Sequence, residues 1–321
     1  MKAVFIRKHG GNEVLEFGEM SEPVPGRGEV LIRVRAAAVN PRDWMIRSGT
    51  YPFRFTLPPF PIILGGDFAG EVAAAGPDAG DFRIGEQVYG MQRAFGGFGA
   101  FAQYVVARQS LLARIPPSLD FERAAAVPLA ALTAWQALRD DVKLKSGDEV
   151  LVNGAAGGVG SFAVQLAVED GARVTGVCSA RNLEFVRALG ANETVDYREK
   201  DFLQLDRRWN VICDAIGKET WSRCRSRLTP DGVYVTTVPK IPDLVAALLG
   251  KLSLARQRSA RRCVLTLAQS RGDRLQAISR LIEKGRIQVP VEQVFDLDKA
   301  GEALARSRTL HTRGKLVLRI P

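Results

Sequence analysis

The sequence predicts a two-domain α/β protein: a small, bent antiparallel barrel joined to a doubly wound parallel sheet. Three observations predict it. Residues 1 to about 118 read as short strands broken by Gly and Pro turns. From about 119 onward, strands and helices alternate. At 149–160 the chain reads EVLVNGAAGGVG, a strand that passes through glycines into a helix. With 321 residues, 46% hydrophobic and 25% charged, the chain is long enough to bury two cores.

In chain order, MKAVFI opens as a short strand flanked by charges, not as a secretion signal. Val30 to Val34 alternates over a polar face, and Phe68 to Ala74, Gln87 to Tyr89 and Phe101 to Val106 follow as strands. Pro23, Pro25, Pro58, Pro59, Pro61, Pro116 and Pro117 punctuate the connections. A helical stretch, Phe121 to Leu138, leads to strand 149–153, helix 158–169, strand 173–178 and helix 182–189. Strands 193–196 and 209–214, helix 219–228 and strands 232–238 and 263–267 complete a parallel sheet. Helix 271–284, strand 291–295, helix 298–306 and strand 314–320 end the chain. The last strand is alternating and amphipathic, unlike the buried strands before it, so the tail is expected to return to the first domain. The division is therefore 1–118 with 272–321, and 119–271.

Gly154, Gly157, Gly158 and Gly160 carry the chain through a tight turn into the apolar helical pattern Ser161 to Val168. Such a turn aims free backbone N–H groups at one spot, and the helix dipole favours phosphate there. A Cβ would block the turn or hold a pyrophosphate away. The strand Arg173 to Cys178 follows at βαβ distance, the context that distinguishes a dinucleotide motif from a chance glycine run. NAD-preferring sites place an acid at the end of that second strand to bind the ribose 2′-OH. Here the chain reads Val177-Cys178-Ser179-Ala180-Arg181-Asn182, with no acid. A hydroxyl and a guanidinium suit a 2′-phosphate, so NADPH is expected over NADH. The alternative is that Arg181 is an ordinary solvated residue at a helix start.

Composition excludes several classes. No run of about 18 apolar residues exists, so no membrane-spanning helix is expected. Cys178, Cys213, Cys224 and Cys263 show no CxxC spacing and read as reduced thiols, which points to the cytoplasm. The only histidines, His9 and His311, read as surface residues; with cysteines confined to the middle of the chain, the N and S ligands of a zinc site cannot be assembled. The net charge is +10, but the arginines are scattered and no nucleic-acid motif appears. The dense basic run Arg256 to Arg262 follows the apolar stretch Leu244 to Leu254 and reads as a solvated helix or loop, with a membrane-surface helix as the alternative.

Together these segments resemble the medium-chain dehydrogenase/reductase superfamily, and within it the zinc-independent quinone oxidoreductase branch that includes zeta-crystallin. The landmarks are Met1-Lys-Ala-Val4, Pro25-Gly-Arg-Gly-Glu-Val30, Ala38-Val39-Asn40-Pro41-Arg42-Asp43, Ile46-Arg-Ser-Gly-Thr-Tyr51 and Pro61 to Gly70. Ala125-Val-Pro-Leu129 (spanning 125–129), Leu132-Thr-Ala134, Gly154 to Gly160, Leu189-Gly-Ala191, Asp196-Tyr197-Arg198 and Gly314-Lys315 continue the set. The resemblance implies a GroES-like β-barrel catalytic domain and a Rossmann NADP-binding domain. The zinc-containing branch has Gly-His-Glu where this chain has Gly65-Gly66-Asp67, and its catalytic Cys falls near Asn40.

By the same resemblance, hydride passes from reduced nicotinamide to a quinone or the β-carbon of an α,β-unsaturated carbonyl. Asn40 and Thr133 are expected beside the nicotinamide, Gly157, Gly158, Val159 and Gly160 around the pyrophosphate, and Ser179, Arg181 and Tyr197 around the adenosine ribose and 2′-phosphate. Gly154 belongs to the turn, and Gly217 and Val238 follow the fourth and fifth strands at the ligand-binding edge. Asn40 also reads as a turn former before Pro41, and Tyr197 as a strand-end residue. Some relatives carry a Tyr five residues after the Asn; this chain has Met45 there. The enolate proton is therefore expected from solvent, or from water held by Asp43 or Asn40; alternatively Asp43 is the N-cap of a short Trp44–Arg47 turn. Trp44, Met45, Phe53, Phe60 and Phe95 are the candidate substrate lining, between the domains, and Phe95 to Phe101 is a lid or a hairpin turn. A homodimer is expected, by pairing near Cys263 to Leu267. The competing readings are a carbonyl reductase or pathway-specific enoyl reductase, and an NADPH-binding structural or regulatory protein with weak catalysis.

Overall fold

A computed structural model describes the chain apart from residues 94–98, 239 and 254–260. It divides into two compact units: Met1–Leu132 with Gln269–Gly285 and Val289–Pro321, and Thr133–Ala268 with Arg286–Gln288. Among the described residues no helix is long and apolar enough to cross a membrane.

The first unit is organised by one long strand, Glu29–Val39. One side pairs with Asp67–Ala75, with register shifts between Leu31 and Ile32 and between Val34 and Ala36. Such irregularities bend a strand and increase its twist, which lets the sheet curl. The other side pairs with Tyr104–Arg108 along its first half and with Lys315–Arg319 along its second. Gln87–Met91 and Leu112–Arg114 extend one end of the sheet, and Val291–Asp296 lies parallel to Lys315–Arg319 at the other. A smaller sheet pairs Leu15–Glu19, Lys2–Ile6 and Ile62–Ile63. Val4, Ile6, Ile32, Val34, Ile46, Leu64, Phe68 and Leu318 meet in the core.

The second unit holds six parallel strands in the order Glu193–Asp196, Arg173–Cys178, Glu149–Asn153, Trp209–Asp214, Leu228–Thr236, Arg262–Leu265. The chain starts in the middle, winds outward one way, then crosses and winds the other; the reversal lies between Glu149–Asn153 and Trp209–Asp214. Open α/β sheets bind ligands at the carboxyl edge of such a reversal. At the opposite, amino edge, Arg207 joins Glu149 and Glu193, and Arg173 joins the same two carboxylates.

Several expectations need correction. Phe121–Ala126 packs against Glu29–Val39 and Asp67–Ala75, so residues 119–132 go with the first unit and not the second. The single helix expected from Phe121 to Leu138 is three pieces, because Pro128 lacks the N–H that would carry it through: Phe121–Ala126, Pro128–Trp135 and a π-helical turn Gln136–Val142. Helix 219–228 shrinks to Trp221–Cys224 and a 3₁₀ turn, since Leu228 opens the next strand. The strand expected from Phe101 starts at Tyr104. Phe101 is a fully buried core residue rather than the end of a lid, and the glycine-rich segment before it lies mostly outside the described residues. Most of the basic run lies outside them too; Arg261 is partly buried and donates to the Leu228 and Thr229 carbonyls, and Arg262 begins a strand.

Candidate active site

At the carboxyl edge of the second unit, the strand Glu149–Asn153 turns into the helix Gly158–Glu169. Gly154 has φ +81°, a left-handed conformation that favours glycine. A Cβ on Gly160 would stand 2.1 Å from the Gly154 carbonyl oxygen, so only glycine lets the helix approach the turn this closely. Gly157 is different: its φ is −77°, and a Cβ there would meet nothing nearer than 3.4 Å. The folded chain alone does not demand glycine at 157. No side chain caps this helix, and the first N–H groups of a helix have no intrahelical partner. The Gly157 N–H is spent on the Gly154 carbonyl at 3.0 Å, but Gly158 and Val159 are half-buried, so their amides form an open cradle for an anion.

The other candidates of this unit, Thr133 apart, follow the carboxyl ends of its strands. Ser179 ends the strand Arg173–Cys178, and its buried hydroxyl accepts from Asn182 Nδ2 at 3.3 Å. Arg181 lies on the exposed 3₁₀ turn that follows. Tyr197 is half-exposed beside Arg198, and its N–H donates to the Cys178 carbonyl at 3.2 Å. The carboxylate nearest this corner is Asp196, in register with Cys178 on the neighbouring strand; its Oδ1 accepts from the Arg198 N–H at 3.0 Å. Burial, then Asp196, pushes the Cys178 thiol up to about 11, so the cysteine is inert. Gly217, with φ +69°, packs so closely on Val238 that a Cβ would stand 2.7 Å from that side chain. Thr133 is buried within Pro128–Trp135.

In the first unit, Asn40 ends Glu29–Val39 and caps the helix Pro41–Ser48. Its N–H donates to Asp43 Oδ2 at 2.8 Å. Its carboxamide donates to Asp67 Oδ2 at 3.0 Å and to the Ala38 carbonyl at 3.3 Å, and accepts from Lys315 Nζ. Lys315 also donates to the Val39 carbonyl at 3.2 Å and lies 3.6 Å from Asp67 Oδ2. All of these side chains are buried. Burial pushes Asp43 up to about 6 and raises Asp67, against the pull of Arg42 and Lys315; burial lowers Lys315, against the pull of Asp67 and Asp43. Asp43 is thus not the cap of a short turn but the third residue of a longer helix, reaching back to the Asn40 N–H.

Residue 66 has no side chain, and Arg42 fills the room: its Nη2 lies 1.6 Å from where a Gly66 Cβ would stand. Tyr51 is nearly buried, and its hydroxyl is raised by burial while the charges of Arg42 and Asp43 act on it. Trp44, Met45 and Phe53 pack partly buried against the core, and Phe53 meets Tyr51 edge-on at 5.8 Å. Trp44 Nε1 is buried without a hydrogen-bond partner among the described residues. Phe60 stands apart, half-exposed against His9 with centroids 5.0 Å apart. Phe95 lies outside the described residues. The sequence reading passed over Lys315, Asp67, Arg42 and Tyr51 as site residues; a lysine in a strand of otherwise apolar residues, KLVL, was the available signal for the first.

Among the described residues, no three His, Cys, Asp or Glu side chains are placed to share a metal ion. The donors at the corner of Asn40 and Asp67 are a carboxamide and a carboxylate already engaged with Lys315, and all four cysteines are buried in the other unit. This set does not fit a catalytic zinc, which takes three protein N, S or O ligands and leaves one position open.

Two family profiles match the chain: one described as alcohol dehydrogenase GroES-like domain over residues 26–117, and one described as zinc-binding dehydrogenase over 189–318. The chain is 33% identical to a chloroplastic quinone oxidoreductase of Triphysaria versicolor, over 99% of this chain and 98% of that one. It is 33% identical to the chloroplastic NADPH-dependent alkenal/one oxidoreductase of Arabidopsis thaliana, over 99% of this chain and 79% of that one. The structure of the quinone oxidoreductase from Coxiella burnetii superposes with a TM-score of 0.90 at 32% identity, covering 100% of this chain and 99% of that one.

Proposed function

Since the chain belongs to the quinone oxidoreductase branch of the medium-chain dehydrogenase/reductase superfamily, an oxidoreductase family, we propose that it is an NADPH-dependent, metal-free reductase of quinones or α,β-unsaturated carbonyl compounds. The observation that carries this reading is the open, uncapped helix start behind Gly154, followed by a strand end with Ser179 and Arg181 and no acid. The named activities of the relatives support the substrate class.

When bound, the reduced nicotinamide supplies the hydride. The chain's own residues do the rest. The amides of Gly158, Val159 and Gly160 hold the diphosphate, the bare Gly157 leaves room for it, and Gly154 and Gly217 let the flanking loops pack closely on Ile216 and Val238. Ser179, Arg181 and Tyr197 take the ribose and its 2′-phosphate, while Val238 lies beside Gly217 on the other side of the sheet reversal. Thr133 meets the carboxamide of the nicotinamide. Asn40, whose own carboxamide is committed to Asp67, Ala38 and Lys315, positions the wall next to the ring. Asp43 holds Asn40 through its N–H, and the proton that completes the reduction comes from solvent. Metal-independence rests on the donor set, since neither Asn40 nor Gly66 offers a zinc ligand. A homodimer belongs to the same reading, with Arg262–Leu265 as the terminal strand that a second copy extends.

The test mixes purified, chelator-treated protein with NADPH or NADH and a panel of 1,4-benzoquinone, 1,2-naphthoquinone, 2-alkenals and simple ketones. Oxidation of NADPH by quinones or enones but not ketones is expected. Turnover with ketones, or loss of activity on chelation, overturns the substrate class or the metal-free chemistry; tight NADPH binding without turnover overturns the enzyme reading. Arg181→Ala should raise the NADPH Kd by about tenfold, the loss of one charge-assisted contact, and leave the NADH Kd unchanged.

A further inference from the structure

Asp214 ends the strand Trp209–Asp214, next to the point where the sheet reverses direction. It is fully buried. Its Oδ1 accepts from Asn153 Nδ2 at 3.1 Å, the Ile216 N–H at 3.3 Å and the Gly217 N–H at 3.0 Å. Its Oδ2 accepts from the Glu219 N–H at 3.0 Å and the Tyr234 hydroxyl at 3.2 Å. Each of these donors is neutral. Hydrogen bonds to an ionised acceptor are about twice as strong as neutral ones, and burial strengthens them further.

The donors come from three successive strand ends. Asn153 is the residue before Gly154 and the anion cradle. Ile216, Gly217 and Glu219 form the loop after Asp214 itself. Tyr234 lies on Leu228–Thr236, and the Asp214 carbonyl accepts from the Thr237 N–H at 3.2 Å, where that strand runs out toward Val238. The two glycine loops also touch: a Cβ on Gly154 would stand 3.1 Å from Ile216 Cβ. One carboxylate therefore sets the Gly154 turn, the Gly217 loop and the approach to Val238 against one another.

We infer that Asp214 is the positioning residue of the dinucleotide site: its carboxylate, without touching the ligand, holds the Gly154 and Gly217 loops at the separation that the cofactor requires. The inference rests on the reading that NADPH lies along this edge. A carboxamide cannot fully replace it, because its NH2 end would face at least one backbone N–H, which can only donate.

The test is the Kd of NADPH, read from the fluorescence of the reduced cofactor without substrate, together with the KM for NADPH and for quinone. Asp214→Asn should raise the NADPH Kd at least tenfold and raise the KM for NADPH while the KM for quinone stays within about twofold. Tyr234→Phe removes one donor and leaves the carboxylate four, so its Kd should stay within about threefold. A folded Asp214→Asn with lowered thermal stability and unchanged NADPH Kd overturns the proposal, since a purely structural role moves only the first. Should Asp214→Asn not fold, Asn153→Leu decides: it cuts the tie to the Gly154 turn alone, and an unchanged Kd in it equally overturns the proposal. A wild-type protein that binds neither NADPH nor NADH rejects the cofactor reading itself, which is a separate outcome.

Discussion

At the carboxyl edge of the parallel sheet, the candidate groups are backbone amides and half-exposed residues; in the first unit, they are ionisable side chains sealed from solvent. The sheet edge leaves its N–H groups open for an anion to complete. The first unit pairs buried groups with one another: Lys315 donates to Asn40, Asn40 donates to Asp67 and Asp43, and Lys315 lies beside Asp67. The contrast separates two kinds of constraint. Glycines 154 and 160 are required by the fold and Gly157, in the proposed reading, by a ligand, whereas the members of the buried cluster depend on one another. Substitutions in the cluster should therefore register as stability, and substitutions around the cradle as binding.

The largest effect is expected at Lys315. Lys315→Met leaves Asp67 buried without its cation, and removing one partner of a buried pair costs about 3–5 kcal/mol. Urea unfolding should show that loss, and the double variant Lys315→Met with Asp67→Asn should recover a large part of it, because no isolated charge remains. A double variant no more stable than the single one would show that the pair is not a closed unit.

Next come the glycines. Gly160→Ala drives a Cβ against the Gly154 carbonyl and the Ala155 backbone, and should destabilise the second unit by about 1–3 kcal/mol. Gly157→Ala should leave the melting temperature within a degree or two, yet weaken NADPH binding by about tenfold, since its Cβ meets only the Gly154 carbonyl, at an ordinary contact distance of 3.4 Å. Equal NADPH affinity in Gly157→Ala and wild type would remove the cradle from the cofactor site.

The smallest effect is a slope in pH. Asp43 titrates near 6 in the folded protein and near 3.8 when free, so the folded state holds the extra proton between those values. Its contribution to stability is therefore lost as pH rises from about 4 to about 6. Asp67 is raised as well and adds to the same slope, while Arg42 and Lys315 oppose both shifts. Asp43→Asn should flatten, without abolishing, the fall in unfolding free energy across that window. It should also slow turnover without changing the NADPH Kd, through the loosened Asn40 N–H. A slope identical to wild type would mean that Asp43 is ionised throughout.

The second unit was far more legible in sequence than the first. The strand Arg173–Cys178, the helix start at Gly158 and the acid-free Ser179–Asn182 corner are local patterns, each set by residues a few positions apart. The buried cluster brings residues 40 and 43 to 67 and 315, and nothing in the spacing of a lysine and two aspartates announces that they meet. Asp214 escaped notice for the same reason: Asp-Ala-Ile-Gly reads as an ordinary turn until Asn153 and Tyr234 are brought to its carboxylate.

By itself the sequence determined the order of strands and helices, the glycine turn and the absence of an acid at the second strand end, because periodicity and backbone conformation act over neighbouring residues. Only the tertiary structure decided that Arg42 fills the room beside Gly66, that Asn40 spends its amide on Asp67 and Ala38, and that Lys315 lies beneath them. Those facts depend on burial and charge pairing between distant segments, and desolvated charges select their partners only once the chain has closed around them.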